Sequence, residues 1–237
     1  MAAGVRVRES RRARRLRLTV TAEGPPELVV PVGTRAREID AMLREHEDWI
    51  SRKTEQLRRA AARRPRLGLA RPGVVWLAGE PLPVRWRSGS RPLARLAGSA
   101  LRVSGPRAQA GTAIDRWYRR EARQRLEEMV AREAAELGVT PGPLSVRDQR
   151  TRWGSCSPTG ALSFSWRLLL APPEVADYVV VHELCHLRRL DHSSAFWAHV
   201  EAARPDWRAS AGWLRRHGPE LGSYDPAIAL DGPPGRP

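Results

Sequence analysis

The sequence predicts an α+β protein in which short strands and helices follow one another along the chain. Basic and apolar residues alternate from Val5 to Val32, and a second alternating stretch, 161–168, precedes an apolar run. Apolar residues recur at helical spacing in 37–59 and 113–137. Alternation is typical of strands, and a period of about 3.6 residues is typical of helices. The 237 residues, 41% of them hydrophobic, are enough to bury a core.

We predict a basic, β-rich region over residues 1–110 that contains one amphipathic helix. The alternating segment from Val5 to Val32 is interrupted by Gly-Pro-Pro and predicts a hairpin or small antiparallel sheet. Thr34 can cap the helix over 37–59. A proline-containing loop over 60–72 follows, and the short apolar runs after it predict further strands.

A second domain is predicted over residues 111–217. It begins with the helix over 113–137, and Gly138 stands where a C-terminal cap belongs. The turn sequence at 157–160 predicts a hairpin that leads into the apolar helix. Pro172, Pro173 and Glu174 suit the first turn of that helix. Residues 218–237 are rich in proline and glycine and are predicted to be disordered.

The charge is strongly positive but unevenly distributed. The net charge is +15, and the basic excess is +9 over residues 1–72, +6 over 73–150 and 0 over 151–237. The basic region could bind nucleic acid or an acidic partner, or it could be a solvated surface. Forty of the 41 basic residues are arginine, which a GC-rich genome would also produce.

Composition also bears on compartment. No apolar run approaches the roughly 18 residues of a membrane span, so we expect no membrane association. The N-terminus lacks the apolar stretch of a secretory signal, and we expect a cytoplasmic protein. Cys156 and Cys185 are too few for a disulfide scaffold and are expected to be thiols.

Three histidines and a glutamate lie within eleven residues of the apolar helix. His182 and His186 are four residues apart, which places both imidazoles on one helix face. Two such imidazoles can share one Zn²⁺ ion, and a catalytic zinc site typically has three protein ligands. His192 can be the third if the helix ends before it, and Asp191 and the serines after His192 suit such a reversal.

Glu183 can accept a proton, which the metal ligands cannot do. Zinc lowers the pKa of its bound water to roughly 7, and a neighbouring carboxylate can take the proton as the water attacks a carbonyl. The pattern His-Glu-x-x-His on a helix is typical of metal-assisted hydrolysis. We therefore predict Glu183 as the general base, with His182, His186 and His192 as ligands.

The other histidines and Cys185 are weaker candidates. Cys185 could bind zinc as a thiolate, but a small buried residue is the simpler interpretation. His199 is expected to face solvent or support the site from outside the ligand set. His46 and His217 have no partners nearby in sequence and are predicted to lie on the surface.

Several blocks of the sequence resemble the YgjP-like family of zinc metallopeptidases, which is related to the SprT and WLM types. The specific blocks are Trp-Gly-Ser-Cys at 153–156, His-Glu-x-x-His at 182–186 and His-Ser-x-x-Phe-Trp at 192–197. The resemblance covers most of the chain. It implies a minimal zincin-like catalytic domain that acts on a peptide or protein, with the three histidines as ligands and Glu183 as base.

The block at 153–156 precedes the histidine helix and is predicted to form a strand. An edge strand can pair with an extended peptide substrate. Arg152, Trp153 and Ser155 are therefore candidates for substrate contact, although Trp153 could equally belong to the core. Arg152 could also stabilise an oxyanion.

Two other functions compete with the peptidase. Histidines at i, i+4 and i+10 also resemble the YbeY type of metal-dependent endoribonuclease, or a nucleotide hydrolase of similar spacing, and the basic region could hold RNA. That family generally lacks a glutamate after the first histidine, which favours the peptidase. The third hypothesis is a nucleic-acid-binding protein with a structural zinc, although structural sites usually have four ligands.

Overall fold

The computed structural model describes residues 4–20, 24–62, 66–150 and 152–231. Two compact units divide the chain, Met1–Pro65 and Arg66–Pro237. The predicted α+β class is confirmed, because the described residues form six α-helices and three small sheets.

The first unit contains a three-stranded sheet and two helices. Its elements are β1 (Arg6–Ser10), β2 (Arg17–Thr19), β3 (Glu27–Pro31), α1 (Ala36–Glu45) and α2 (Glu47–Ala62). The strand order is β1-β3-β2, with β1 parallel and β2 antiparallel to β3. The predicted antiparallel sheet is therefore only partly correct. Two chain reversals return β3 to the direction of β1.

The helices of the first unit cover one face of its sheet. Leu28 and Val30 of β3 pack with Leu43 of α1 and Ile50 of α2. The single helix predicted over 37–59 is wrong, because the chain breaks at His46, and this break lets both helices contribute to the same small core. The predicted Thr34 cap is also absent: its hydroxyl donates to the Pro31 carbonyl at 2.7 Å.

The second unit begins with a four-stranded sheet packed on a long helix. Its elements are β4 (Val74–Leu77), β5 (Glu80–Arg87), β6 (Leu93–Ala97), β7 (Ala100–Ser104) and α3 (Arg107–Leu137). The strand order is β4-β5-β7-β6. Because buried side chains of this sheet share a core with α3, the division falls near residue 65 and not at the predicted boundary of 110. Gly138 caps α3 with a φ of 62°, as predicted.

A second small sheet leads to the histidine helix. It contains β8 (Leu144–Arg147), β9 (Gly154–Cys156) and β10 (Leu162–Ser165) in the order β8-β10-β9. The predicted hairpin is formed by β9 and β10, and the Gly160 N–H closes its turn on the Ser157 carbonyl at 2.9 Å. The alternation to Leu168 does not continue as a strand. The chain turns at Trp166–Leu170 into a 3-10 helix that is buried throughout.

Three helices complete the second unit: α4 (Pro173–Cys185), α5 (Ser194–Ala203) and α6 (Trp207–Ser223). Pro173 opens α4, as predicted. The predicted disorder after residue 217 is wrong for the described residues, because α6 runs through it and a 3-10 turn follows at Pro226–Leu230. Leu221, Tyr224 and Leu230 are buried, and this apolar packing orders the segment. Residues 232–237 lie outside the described residues.

The loop predicted over 60–72 is only partly correct, because α2 continues to Ala62, whereas the chain from residue 66 to 72 has no regular structure. The Glu220 carboxylate of α6 accepts hydrogen bonds from the backbone N–H groups of Leu67 and Leu69, and Leu69 is buried. This part of the loop is therefore held against α6 of the second unit, to which it belongs. Residues 63–65 of the predicted loop lie outside the described residues.

No helix among the described residues is both long enough and apolar enough to cross a bilayer.

Candidate metal centre

The centre is built on the last turn of α4. Most of this helix is buried by its apolar side chains. His182 and His186 lie on one face of its C-terminal end. His182 and His186 lie one turn apart, with ring centroids separated by 5.0 Å. The helix therefore presents two imidazoles to the same point in space.

His192 reaches the same point because the backbone reverses after α4. The helix ends at Cys185, and the N–H groups of Arg188 and Arg189 both donate to the Cys185 carbonyl. Asp191 then accepts hydrogen bonds from the backbone and hydroxyl of Ser193, which leads into α5. The Nε2 atoms of His182 and His192 consequently lie 3.1 Å apart.

The three imidazoles lie close enough together to share one metal ion. Ligand atoms of His182, His186 and His192 all lie within 4.8 Å of one another. A tetrahedral ion bound at about 2.0 to 2.1 Å separates neighbouring nitrogens by about 3.3 Å. The Nδ1–H of His186 can donate to the Arg189 carbonyl at 2.9 Å, which would leave the Nε2 lone pair available. These residues therefore fit a divalent metal.

Two of the three imidazoles have lowered pKa values, which favours the neutral form that binds a metal. Desolvation, followed by the charges of His186 and His192, lowers the pKa of His182 to about 4. Burial and the charge of His186 also lower the pKa of His192. Proton competition at His182 and His192 is thus weak near neutral pH.

Phe196 of α5 forms the apolar wall of the centre. Its ring lies 5.0, 4.5 and 4.9 Å from the centroids of His182, His186 and His192, and its side chain is fully buried. Sequence reasoning did not assign Phe196 a role. Its position four residues after His192, at the start of a helix, was the signal that could have done so.

The Glu183 carboxyl lies beside β9 in a space that only glycine leaves open. Gly154 of β9 has no side chain, and a Cβ there would lie 2.6 Å from the Glu183 Cγ and 2.7 Å from its Oε1. The backbone N–H of Cys156 donates to the carboxylate. Sequence reasoning identified Glu183 but missed these two partners, because they approach it from another element.

Glu183 is buried, and its protonation reflects this. Desolvation raises the pKa of Glu183 to about 7, against the opposing hydrogen bond from Cys156 and the charge of Arg152. A carboxyl with a pKa near the working pH can both take up and release a proton. A divalent cation at the imidazoles would lower this pKa through its own charge.

β9 is an edge strand of its sheet, and its backbone orientation is set by β10. The Ser165 N–H donates to the Trp153 carbonyl and the Ser157 N–H to the Ala161 carbonyl, each at 2.9 Å. Alternate residues of an antiparallel strand face the partner strand. The backbone groups of Gly154 and Cys156 therefore point away from β10, on the side where Glu183 lies.

The three predicted substrate contacts occupy different environments. Arg152 is exposed, and its charge acts on Glu183. Ser155 is half-buried and pairs with Ser163 across the hairpin. The Trp153 ring packs on α6, where a Cβ at Gly218 would lie 3.1 Å from it. Trp153 thus belongs at least in part to the core.

The remaining candidates lie outside this cluster. Cys185 is buried, and burial raises the pKa of its thiol to about 11, as expected of an inert core residue. His199 is half-buried beside Cys185 and is not part of the three-histidine group. His217 was predicted to lie on the surface, which is wrong: it is 8% exposed and packs against Trp213 of α6.

Comparisons with known proteins point to one family. The family model of the YgjP-like metallopeptidase domain matches residues 14–217. No curated protein matches the chain. Among solved structures, the metallopeptidase zymogen abylysin of Pyrococcus abyssi is 24% identical, with a TM-score of 0.34, and the match covers 39% of this chain and 97% of that one.

Proposed function

The chain belongs to the YgjP-like metallopeptidase family, and from this membership we propose that it is a zinc-dependent peptidase with Glu183 as its general base. One observation carries the proposal. Three imidazoles converge on one point, and Glu183, the residue after His182, has a buried carboxyl against the edge strand β9. Helix α4 and the strand beside it would thus supply ligands, base and a surface for an extended peptide.

His182, His186 and His192 would hold the metal. All three are neutral nitrogen donors, a set that suits zinc. When bound, zinc lowers the pKa of a water molecule and polarises the carbonyl of a substrate. Three protein ligands leave a position for substrate and water, as catalytic sites require.

Glu183 would move the proton. Its carboxylate takes a proton from the attacking water and delivers it to the nitrogen of the leaving amine, so that hydrolysis yields one carboxylate and one amine. Two features support this role. Gly154 leaves room for the carboxylate, and the Cys156 N–H holds one of its oxygens in place.

The open edge of β9 would bind the substrate backbone. The outward N–H and C=O of Gly154 can pair with an extended peptide, as an added strand does. Arg152 lies near Glu183 and can stabilise negative charge on the substrate oxygen. Ser155 belongs to the same strand and would contact substrate side chains, whereas Trp153 supports the strand by packing on α6.

A peptide-library digestion tests this function. Zinc-loaded protein is incubated with an unbiased peptide library and, separately, with an RNA library, and products are identified by mass spectrometry. We expect peptide cleavage by the native protein and none by Glu183→Gln at equal zinc content. RNA cleavage without peptide cleavage would favour the endoribonuclease hypothesis instead.

The cytoplasmic location stays a prediction.

A further inference from the structure

In the first unit, the segment that forms the sheet, strands and connections together, carries an excess of positive charge. Residues 4–31 contain seven arginines and three glutamates, whereas residues 36–62 contain six basic and six acidic residues. The helices are therefore neutral as a group, and the sheet segment carries an excess of four charges. Such a separation gives the sheet segment a positive field that can attract an anionic partner.

The strand pairing places arginines on the sheet face away from the helices. Val29 of β3 pairs with Arg8 of β1 on one side and with Arg17 of β2 on the other. Cross-strand partners project from the same face of a sheet. Leu28 and Val30 project from the opposite face into the helix-covered core. Arg8 and Arg17 therefore stand on the face that α1 and α2 do not cover.

These arginines line a cleft of about 350 Å³. Val29 lies at the cleft and is only 3% exposed, which is consistent with cover from the aliphatic stems of neighbouring arginines. We call this surface the arginine cleft and define it by the following residues: Arg8, Arg12, Arg14, Arg15, Arg17 and Val29.

Among the described residues, little negative charge lies beside the arginine cleft. Arg8 pairs with Glu27 at 3.2 Å. For the other four arginines, no carboxylate of the described residues lies within ion-pair distance. Like charges gathered on neighbouring strands repel one another. A bound polyanion would remove this repulsion.

We propose that the arginine cleft binds nucleic acid through its phosphodiester backbone. The arginines extend from the β1–β2 connection to both outer strands, which lie about 10 Å apart, so they offer several phosphate contacts and not one enclosed pocket. The guanidinium group binds phosphate oxygens in pairs. Nearly every basic residue in the chain is arginine, so the position of these residues, and not their type, marks the cleft as a phosphate-binding surface.

A membrane surface fits the arginine cleft less well. Proteins that lie on anionic bilayers insert large apolar side chains beside their basic residues. Val29 is the large apolar side chain of the cleft, and it is buried. Exposed Val7 alternates with Arg6 and Arg8 along β1 and so projects from the opposite face.

Fluorescence anisotropy of the full-length protein tests the proposal. The probes are fluorescein-labelled single-stranded and duplex DNA of mixed sequence, titrated at several salt concentrations. Contacts with about four phosphates predict a slope of log K against log salt of about −3 for the single strand. In Arg14→Gln/Arg15→Gln/Arg17→Gln, the slope should become shallower by about 2 and the affinity at low salt should fall about tenfold or more.

The matched control removes three charges from the helix side of the same unit. Arg37, Arg44 and Arg52 are exposed, and Arg37→Gln/Arg44→Gln/Arg52→Gln should keep most of the affinity and the slope. If the test variant loses its fold by circular dichroism, Arg14→Gln alone should reduce the slope by about 0.7. Equal loss in test and control variants, or binding to phosphatidylserine vesicles without binding to DNA, would overturn the proposal.

Discussion

The Nε2 atoms of His182 and His192 lie 3.1 Å apart although ten residues separate them in sequence. His182 is fixed by a buried helix, and His192 is fixed by the reversal that Asp191 stabilises. Two neutral imidazoles that face each other through the same nitrogen can share either a proton or a metal ion. With His186 at the same point, the arrangement favours a metal.

The space beside Gly154 sets the position of the Glu183 carboxyl. In Gly154→Ala, the new methyl group would overlap the Glu183 side chain, whose Cγ would lie 2.6 Å away. We expect kcat/KM for peptide hydrolysis to fall about a hundredfold, because a displacement of about 1 Å can have such an effect. Zinc content should not change, since the clash involves Glu183 and not the ligands.

Gly212→Ala is the control for that substitution. It also adds one methyl group, but its nearest neighbour is the flexible end of Arg216 at 3.3 Å. Native-like activity is expected. Equal activity of Gly154→Ala and the native protein would show that the position of Glu183 does not limit hydrolysis.

A buried ion pair ties the helices around the centre together. Glu133 of α3 is 1% exposed and pairs with Arg132 at 2.8 Å and with Arg204, which also bonds Asp177 of α4. We expect Glu133→Gln to reduce the free energy of unfolding by about 2 kcal/mol. This is below the 3 to 5 kcal/mol typical of a fully buried pair, because Arg204 is partly exposed and keeps Asp177.

Urea denaturation at constant metal loading measures this change. Glu201, which pairs with Arg208 on the surface, supplies the comparison, and Glu201→Gln should leave the midpoint unchanged. If both variants unfold at the same urea concentration as the native protein, the buried network does not stabilise the fold.

Acid sensitivity should arise in part at Asp148. Burial alone would raise the pKa of this carboxyl, but the hydrogen bond and charge of Arg167, with Arg119 and Arg150, hold it below its usual range. Because the folded pKa is lower than the unfolded one of about 3.9, the stabilisation is present above about pH 4 and is lost as the pH falls through the folded value.

Thermal unfolding of Asp148→Asn between neutral and acidic pH checks this prediction. The variant should be less stable than the native protein at neutral pH, because Arg167 is buried and loses its ionic partner at 2.8 Å. The difference in Tm between the variant and the native protein should become smaller in acid. A constant difference down to the lowest pH would contradict the role of Asp148.

Local features of the centre could be predicted from the sequence. The pairing of His182 with His186 follows from helix geometry over four residues, and the reversal before His192 follows from the turn residues that surround it. The start of α4 at Pro173 and the end of α3 at Gly138 are local in the same way. Each of these depends on residues that are close in sequence.

Features that depend on distant residues were missed. Gly154 and Glu183 meet only because β9 lies against α4. The segment after residue 217 is ordered because the Arg167 guanidinium donates to the carbonyls of Leu221 and Tyr224, more than 50 residues later. Composition alone suggested disorder there, and periodicity could not show that His217 would be buried by this packing.

A measurement of zinc coordination by His192 tests the three-histidine centre most directly. X-ray absorption spectroscopy of the zinc-loaded protein should show three imidazole nitrogens at about 2.0 Å. His192→Ala should show two and bind zinc more weakly, whereas the control His199→Ala should match the native spectrum. An unchanged spectrum and affinity in His192→Ala would contradict the three-histidine centre.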